Sequence, residues 1–313
     1  AGSGAGTLRG GGDGGAGMQR AALVYRRRFF GWRETPHPFV QHRVLTSGVG
    51  VIVAYRSSAS GALLSTVAAH VVEGRVIFPG AGYLETARAA WCAVTSAAST
   101  SARLGSIFFL QPLAVETAGL QIECAMTDRG RFEVRSGELE EVSLMAASVH
   151  CTGEMGACAD DGLDRGDHAA ARSRTGTHAA EASALYAGFG SIGLQYGQAY
   201  RALRQMWSSV SAAAAARLCP RSSHQGTQVH PADLDGALQL GALASTGGSD
   251  GKTRLPFAVD GAVLRGARGS DLWAVCGSRL DPSPACVALW RVPLCCRPAR
   301  QIPLCSLVLP CRL

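Results

Sequence analysis

The sequence has no apolar run approaching the about 20 residues that a membrane-spanning helix requires, so no part of it reads as a membrane anchor. It also has no Cys-x-x-Cys pair, and no histidine beyond His230 stands near the adjacent Cys295 and Cys296. Zinc-ribbon and zinc-finger spacings are therefore absent, and no metal site is expected. Its start shows no signal-peptide pattern. The eleven cysteines, five of them in the last 28 residues, read as the scattered reduced thiols of a cytoplasmic protein. The chain opens on Ala1 rather than Met, as expected of a segment cut from a longer polypeptide.

Charge is sparse as well, at 17% of residues against 47% hydrophobic, the profile of an ordinary soluble globular protein with enough length for one large domain or two modest ones. A net charge of +7 invites a nucleic-acid reading, but its distribution argues against it. Residues 1–45 carry seven Arg against Asp13 and Glu34, a surplus of five. Residues 281–313 carry four Arg against Asp281, a surplus of three, which leaves the body, 46–280, at −1. The folded part has no basic balance for a phosphate backbone or an anionic membrane surface.

Composition shifts divide the chain. Residues 1–36 begin with "AGSGAGTLRGGGDGGAGM", a flexible Gly-rich segment, and continue into a basic, aromatic arm. From 37 to 153 short apolar runs dominate: "VGVIVAY" and "ALLSTV" read as strands, "GYLETARAAWCAV" as a helix, and "SIFFLQPL", "LQIECAMT", "RFEVRS" and "EVSLMAASVHC" as further strands. Residues 154–180 are rich in Gly, Asp, Arg and Ala and read as a connector. The scheme recurs over 181–280, with a helical "ASALYAGFGSIG", a strand-like "SSVSAAAAARLC", a helix from His230, and strands in "RLPFAVDGAVLRG" and "SDLWAVC". Two halves, each with a prominent helix among several strands, predict a duplicated α+β unit. The tail, 281–313, holds six of the 13 prolines; because proline is barred from central strands, it is not expected to complete a sheet.

Most of the eight histidines fall in arms, loops or the connector. His70 differs: in "HVVEGRVIFPGAGYLE" it stands at a loop-to-strand junction framed by Gly74 and Pro79. A second titratable group lies in "HPADLDGALQLGAL". Pro231 suits a first helical turn, and Asp235 and Gln239, four apart, share a helix face beside the apolar Leu234 and Leu238. Asp233 is nearer the helix start and is the better dipole partner, so Asp235 is placed for another task.

These residues resemble a family. His70, Gly74 and Pro79 fit the His-x-x-x-Gly-x-x-x-x-Pro motif of dehydratase domains of modular type I polyketide synthases, relatives of the dehydratase of animal-type fatty acid synthase. Asp235 and Gln239 fit that family's Asp-x-x-x-Gln motif, "GLQYGQAY" (Gly193 to Tyr200) resembles its Gly-Tyr-x-Tyr-Gly-Pro-x-Phe motif, and "LPF" at 255–257 is a further landmark. "VYRRRFFGW" is similar to the linker between an acyltransferase domain and such a dehydratase. The chain departs from the family at Ala69, where Asp is usual before the histidine, at Gln198 in place of Pro, and at Tyr200 in place of Phe.

The resemblance implies a double hot-dog fold, α+β, with two curved antiparallel sheets each around a central helix and a site between the halves. It implies removal of water from a 3-hydroxyacyl thioester to give the 2-enoyl thioester, with His70 as general base and Asp235 as general acid. Gln239 and Tyr196 would support the acid or line the slot, and Gly74, Pro79, Gly80 and Gly197 would shape it. Backbone N–H groups around Ala81 and Gly82, where the central helix begins after Pro79 and Gly80, would stabilise the thioester oxygen. No metal or organic cofactor is implied; the phosphopantetheine arm of an acyl carrier protein would deliver the substrate, within a homodimer flanked by other synthase domains. The competing class is a non-catalytic double hot-dog that binds acyl chains or supports its neighbours.

Overall fold

A computed structural model describes residues 37–44, 50–95, 101–140, 143–157, 178–209, 213–241, 258–265, 272–277, 286–291 and 305–308. The segment 1–36, most of the connector (158–177) and the 255–257 landmark lie outside them.

The first half runs β1 (His42–Val44), β2 (Val51–Ser58), α1 (Gly61–Val67), β3 (His70–Val72), β4 (Arg75–Val76), α2 (Gly80–Val94), β5 (Ser101–Phe109), β6 (Leu120–Thr127), β7 (Arg131–Glu140) and β8 (Ser143–Gly156). The second runs β9 (His178–Ala180), α3 (Ala182–Ser191), β10 (Leu194–Tyr196), a 3₁₀ turn at Gln198–Tyr200, β11 (Leu203–Ser208), β12 (Ala214–Leu218), α4 (Pro231–Gln239), β13 (Ala258–Arg265), β14 (Leu272–Gly277), β15 (Cys286–Arg291) and β16 (Cys305–Val308). β8 and β9 thus reach into both ends of the expected connector.

Among the described residues all pairings are antiparallel, and thirteen strands form one sheet in the order β1-β2-β6-β7-β8-β5-β13-β16-β15-β14-β12-β11-β9. The halves meet edge to edge where β5 pairs with β13, from Ala258 opposite Phe108 to Arg265 opposite Ser101. Each half wraps its part of this sheet round one central helix, α2 or α4, the arrangement of a double hot-dog. α2 is buried continuously from Ala81 to Ala90, because small alanines on several faces let the sheet close round it. β5 keeps the alternation of a strand with one covered face, with Ala102, Leu104 and Ile107 inward, and a bulge near Ser106 leaves Phe108 exposed.

Two expectations are corrected. "ALLSTV", read as a strand, is α1: Leu63, Thr66 and Val67 are its buried residues, at spacings of three and four, and a six-residue apolar run does not by itself separate strand from helix. The Pro-rich tail does complete the sheet. β15 pairs with β14, and β16 fills the place between β15 and β13. Pro282 and Pro284 precede β15, Pro293, Pro298 and Pro303 lie between the strands, and Pro310 follows β16, so no ladder position needs an N–H that proline lacks.

A three-stranded sheet, β10-β3-β4, also bridges the halves, since β10 belongs to the second and β3 and β4 to the first.

Candidate active site

His70 opens β3, and the turn after this strand explains the glycine in its motif. Val72 pairs with Arg75, leaving Glu73 (φ 49°) and Gly74 (φ 77°) as a two-residue hairpin loop with both residues left-handed, a conformation that favours glycine. The hairpin returns the chain to Ile77, whose carbonyl lies 2.7 Å from His70 Nδ1 while its own N–H donates to the His70 carbonyl. A carbonyl only accepts, so Nδ1 carries a hydrogen, and in the neutral tautomer that this bond selects the lone pair lies on Nε2. Strand β10 sets the other wall. Tyr196 pairs directly with His70, their rings edge to face at 5.6 Å, and Tyr200 lies 5.3 Å from the imidazole. Gly197 makes this approach possible: its N–H donates to the Ala69 carbonyl at 2.8 Å, and a Cβ there would stand 3.0 Å from that of Ala69.

Asp235 is carried by α4. His230 caps this helix, its Nδ1 accepting the Ala232 N–H, with Pro231 in the first turn. Burial, reinforced by the nearby Arg221 and His224, pushes the His230 pKa down to about 3, so the cap is a neutral imidazole. Asp233 accepts a hydrogen bond from the Arg221 guanidinium. Asp235, two residues on, points instead at the first half: its Oδ1 is 4.0 Å from His70 Nε2. Burial raises the Asp235 pKa, against the opposing effects of His70 and of a hydrogen bond from Gln239. The Asp235 carboxyl and His70 Nε2 therefore face each other across the two halves, both buried.

Gln239, one turn further, donates from Nε2 to Asp235 Oδ2 at 2.7 Å and to the Tyr200 carbonyl at 3.2 Å. Its Oε1 accepts from the Tyr186 hydroxyl at 3.0 Å. Sequence reasoning missed Tyr186; the available signal was a tyrosine on the buried face of α3, whose hydroxyl must find a partner. It also missed Glu85, which is wholly buried on α2. Its carboxylate accepts from Arg88, from His37 Nε2, and from the backbone N–H groups of Gln228 and Val229, so α2 holds the segment that leads into α4.

Pro79 is extended (φ −71°, ψ 149°) and stands immediately before α2, as its motif position predicts. One expected donor is corrected: the Gly82 N–H is bonded to the Pro79 carbonyl at 2.8 Å, closing the first turn, so it is not offered to a ligand. The donors at this end narrow to Gly80 and Ala81. Among the described residues no cluster of three or more His, Cys, Asp or Glu side chains could hold a metal ion, and no helix is long and apolar enough to cross a membrane.

Two family models match the chain in succession, one described as polyketide synthase dehydratase domain over residues 37–137 and one as polyketide synthase dehydratase N-terminal domain over 164–281. Polyketide synthase ThaG of Burkholderia thailandensis is 31% identical over 220 residues, 67% of this chain, and PksN of Bacillus subtilis 27% identical over 217, 66% of it. The chain spans about 4% of the length of either. Among solved structures, the dehydratase domain from the CurF module of curacin polyketide synthase superposes with a TM-score of 0.71 at 21% identity, covering 88% of this chain and 98% of that one. The dehydratase domain of RzxB from Pseudomonas fluorescens gives 0.68 at 20%, with the same coverage. With sequence models matching both halves, a relative 31% identical over 67% of the chain, and the double hot-dog architecture shared over 88% of it, the chain belongs to the dehydratase domains of modular polyketide synthases.

Proposed function

We propose that the domain dehydrates a 3-hydroxyacyl thioester, held on the phosphopantetheine arm of an acyl carrier protein, to the 2-enoyl thioester during polyketide assembly. The observation that carries this reading is the 4.0 Å approach of His70 Nε2 to Asp235 Oδ1 across the two halves.

His70 Nε2 takes a proton from the carbon next to the thioester carbonyl, Asp235 gives its proton to the departing 3-hydroxyl, and the C–O bond breaks to release water. His70 ends protonated and Asp235 ionised. Returning the proton from one to the other resets the pair. The raised pKa of Asp235 supports its role as the acid, and the Nδ1–H bond to Ile77 supports Nε2 as the base. Negative charge developing on the thioester oxygen would meet the first N–H groups of α2, at Gly80 and Ala81. The reaction uses only protein side chains and backbone. We further propose that the domain works as a homodimer between neighbouring synthase domains.

The test is turnover of a carrier-bound 3-hydroxyacyl thioester, followed by the mass loss of one water. His70→Ala and Asp235→Asn are each expected to lower the rate by about 10²- to 10⁴-fold. A folded chain that leaves the substrate intact would refute catalysis and leave a scaffold or acyl-binding module.

A further inference from the structure

The hydrogen bonds behind Asp235 form a directed chain. It begins at the Leu203 backbone N–H, a group that can only donate, which bonds the Tyr186 hydroxyl oxygen at 3.1 Å. With that lone pair occupied, the single phenolic hydrogen is turned to Gln239 Oε1 at 3.0 Å. The amide then presents its NH₂ on the other side, where it meets the Tyr200 carbonyl, a group that can only accept, and Asp235 Oδ2 at 2.7 Å. Because both ends are fixed by backbone chemistry, the orientation of everything between follows. Asp235 Oδ2 is an acceptor, and the carboxyl hydrogen belongs on Oδ1, the oxygen facing His70.

We infer that Tyr186 is a positioning residue that, through Gln239, selects the oxygen on which Asp235 holds its catalytic proton. It acts without touching substrate, and the inference rests on the dehydratase reading above. The side chains of Tyr186, Gln239 and Asp235 are all buried. The other titratable groups around Asp235 are His70 on β3, Tyr196 on β10 and Tyr200 in the 3₁₀ turn, while Asp233 on the same helix is held by Arg221.

Tyr186→Phe removes the hydroxyl and keeps the ring. It removes the donor that holds Gln239 Oε1 and leaves the amide anchored at the Tyr200 carbonyl alone, which loosens the hydrogen bond to Asp235 Oδ2 that favours the ionised carboxylate. The expected result is a kcat about tenfold lower, the effect of one buried hydrogen bond, with KM unchanged and the alkaline limb of the kcat–pH profile moved upward. In the Gln239→Leu background the same change has no further effect, because its route to Asp235 is already cut. Equal effects of Tyr186→Phe with and without Gln239, or an unmoved alkaline limb, overturn the inference. Titration of the Asp235 carboxyl by ¹³C NMR decides the matter independently of turnover: a higher midpoint in Tyr186→Phe supports the relay and an unchanged one refutes it, even if the unmodified chain fails to dehydrate its substrate.

Discussion

Glu85→Gln isolates the contact by which the first half holds the segment that leads into the helix of Asp235. Glu85 accepts five hydrogen bonds: two from Arg88, one from His37, and one each from the Gln228 and Val229 backbone. Glutamine fills the same space but has one acceptor oxygen, and turning it toward Gln228 and Val229 sets its NH₂ against the Arg88 guanidinium. Arg88 is itself buried, so the variant leaves a charge in the interior without its counter-ion. Breaking a buried pair in this way costs about 3–5 kcal/mol. Burial alone would raise the Glu85 pKa, but Arg88 and His37 outweigh it and hold the group at about 2 against an ordinary 4.5. At about 1.4 kcal/mol per pH unit, that difference is worth about 3 kcal/mol. The two routes agree, and the loss is a large part of a typical domain stability of about 5–15 kcal/mol. Because the folded pKa is depressed, this stabilisation is present above 4.5 and is lost as pH falls through 4.5 toward 2. Urea unfolding followed by tryptophan fluorescence near neutral pH should show a loss of about 3 kcal/mol in Glu85→Gln, largely recovered in Glu85→Gln/Arg88→Met, where neither charge remains. A loss below about 1 kcal/mol, or a double variant no better than the single one, would refute the buried-pair argument.

Further outcomes follow from the site. Asp235 has its folded pKa raised above the ordinary 3.8, so its stability deficit is absent at low pH, grows as pH rises through 3.8 and is complete above the folded value; Asp235→Asn should unfold at higher urea than the parent near pH 8 and show little gain near pH 4, and equal gains at both would contradict the assignment. Gly197→Ala places a methyl group 3.0 Å from the Ala69 Cβ and pushes β10 from β3. Its kcat should drop through displacement of Tyr196 against His70, and Ala69→Gly added to it should restore most of the rate; no restoration would locate the damage elsewhere.

Patterns that report chemistry and patterns that report strand pairing were not equally legible in this sequence. His70, Gly74 and Pro79 could be picked out because a hairpin with two left-handed residues and a helix start each demand particular residue types at fixed offsets. α2 was legible because fifteen residues give a helical period room to show itself, whereas α1, with seven, offered the same apolar run that a strand would. The tail misled for a different reason. Counting prolines over 281–313 treats the segment as one element, but the ladder needs N–H groups only at Cys286–Arg291 and Cys305–Val308, and each of these short windows is free of proline. Proline density excludes a strand only at the register positions that donate.

The site shows a similar boundary between what residue identity states and what only packing decides. That Asp235 and Gln239 share a helix face follows from a spacing of four, and so does their hydrogen bond. Which way the Gln239 amide faces is not a property of α4 at all. It is imposed from α3 and from the N–H of Leu203 at the start of β11, elements separated from Gln239 in sequence by 53 residues in the case of Tyr186. Likewise, His70 has two nitrogens of equal standing in the sequence, and only the Ile77 carbonyl, brought back by the hairpin, distinguishes Nδ1 from Nε2. The groups that orient Gln239 and His70 are therefore ones that no motif in the sequence singles out. Copying the His70–Asp235 pair onto another double hot-dog without the Tyr186 hydroxyl and without the hairpin that brings the Ile77 carbonyl to Nδ1 would keep the 4.0 Å approach and lose the hydrogen bonds that orient both side chains.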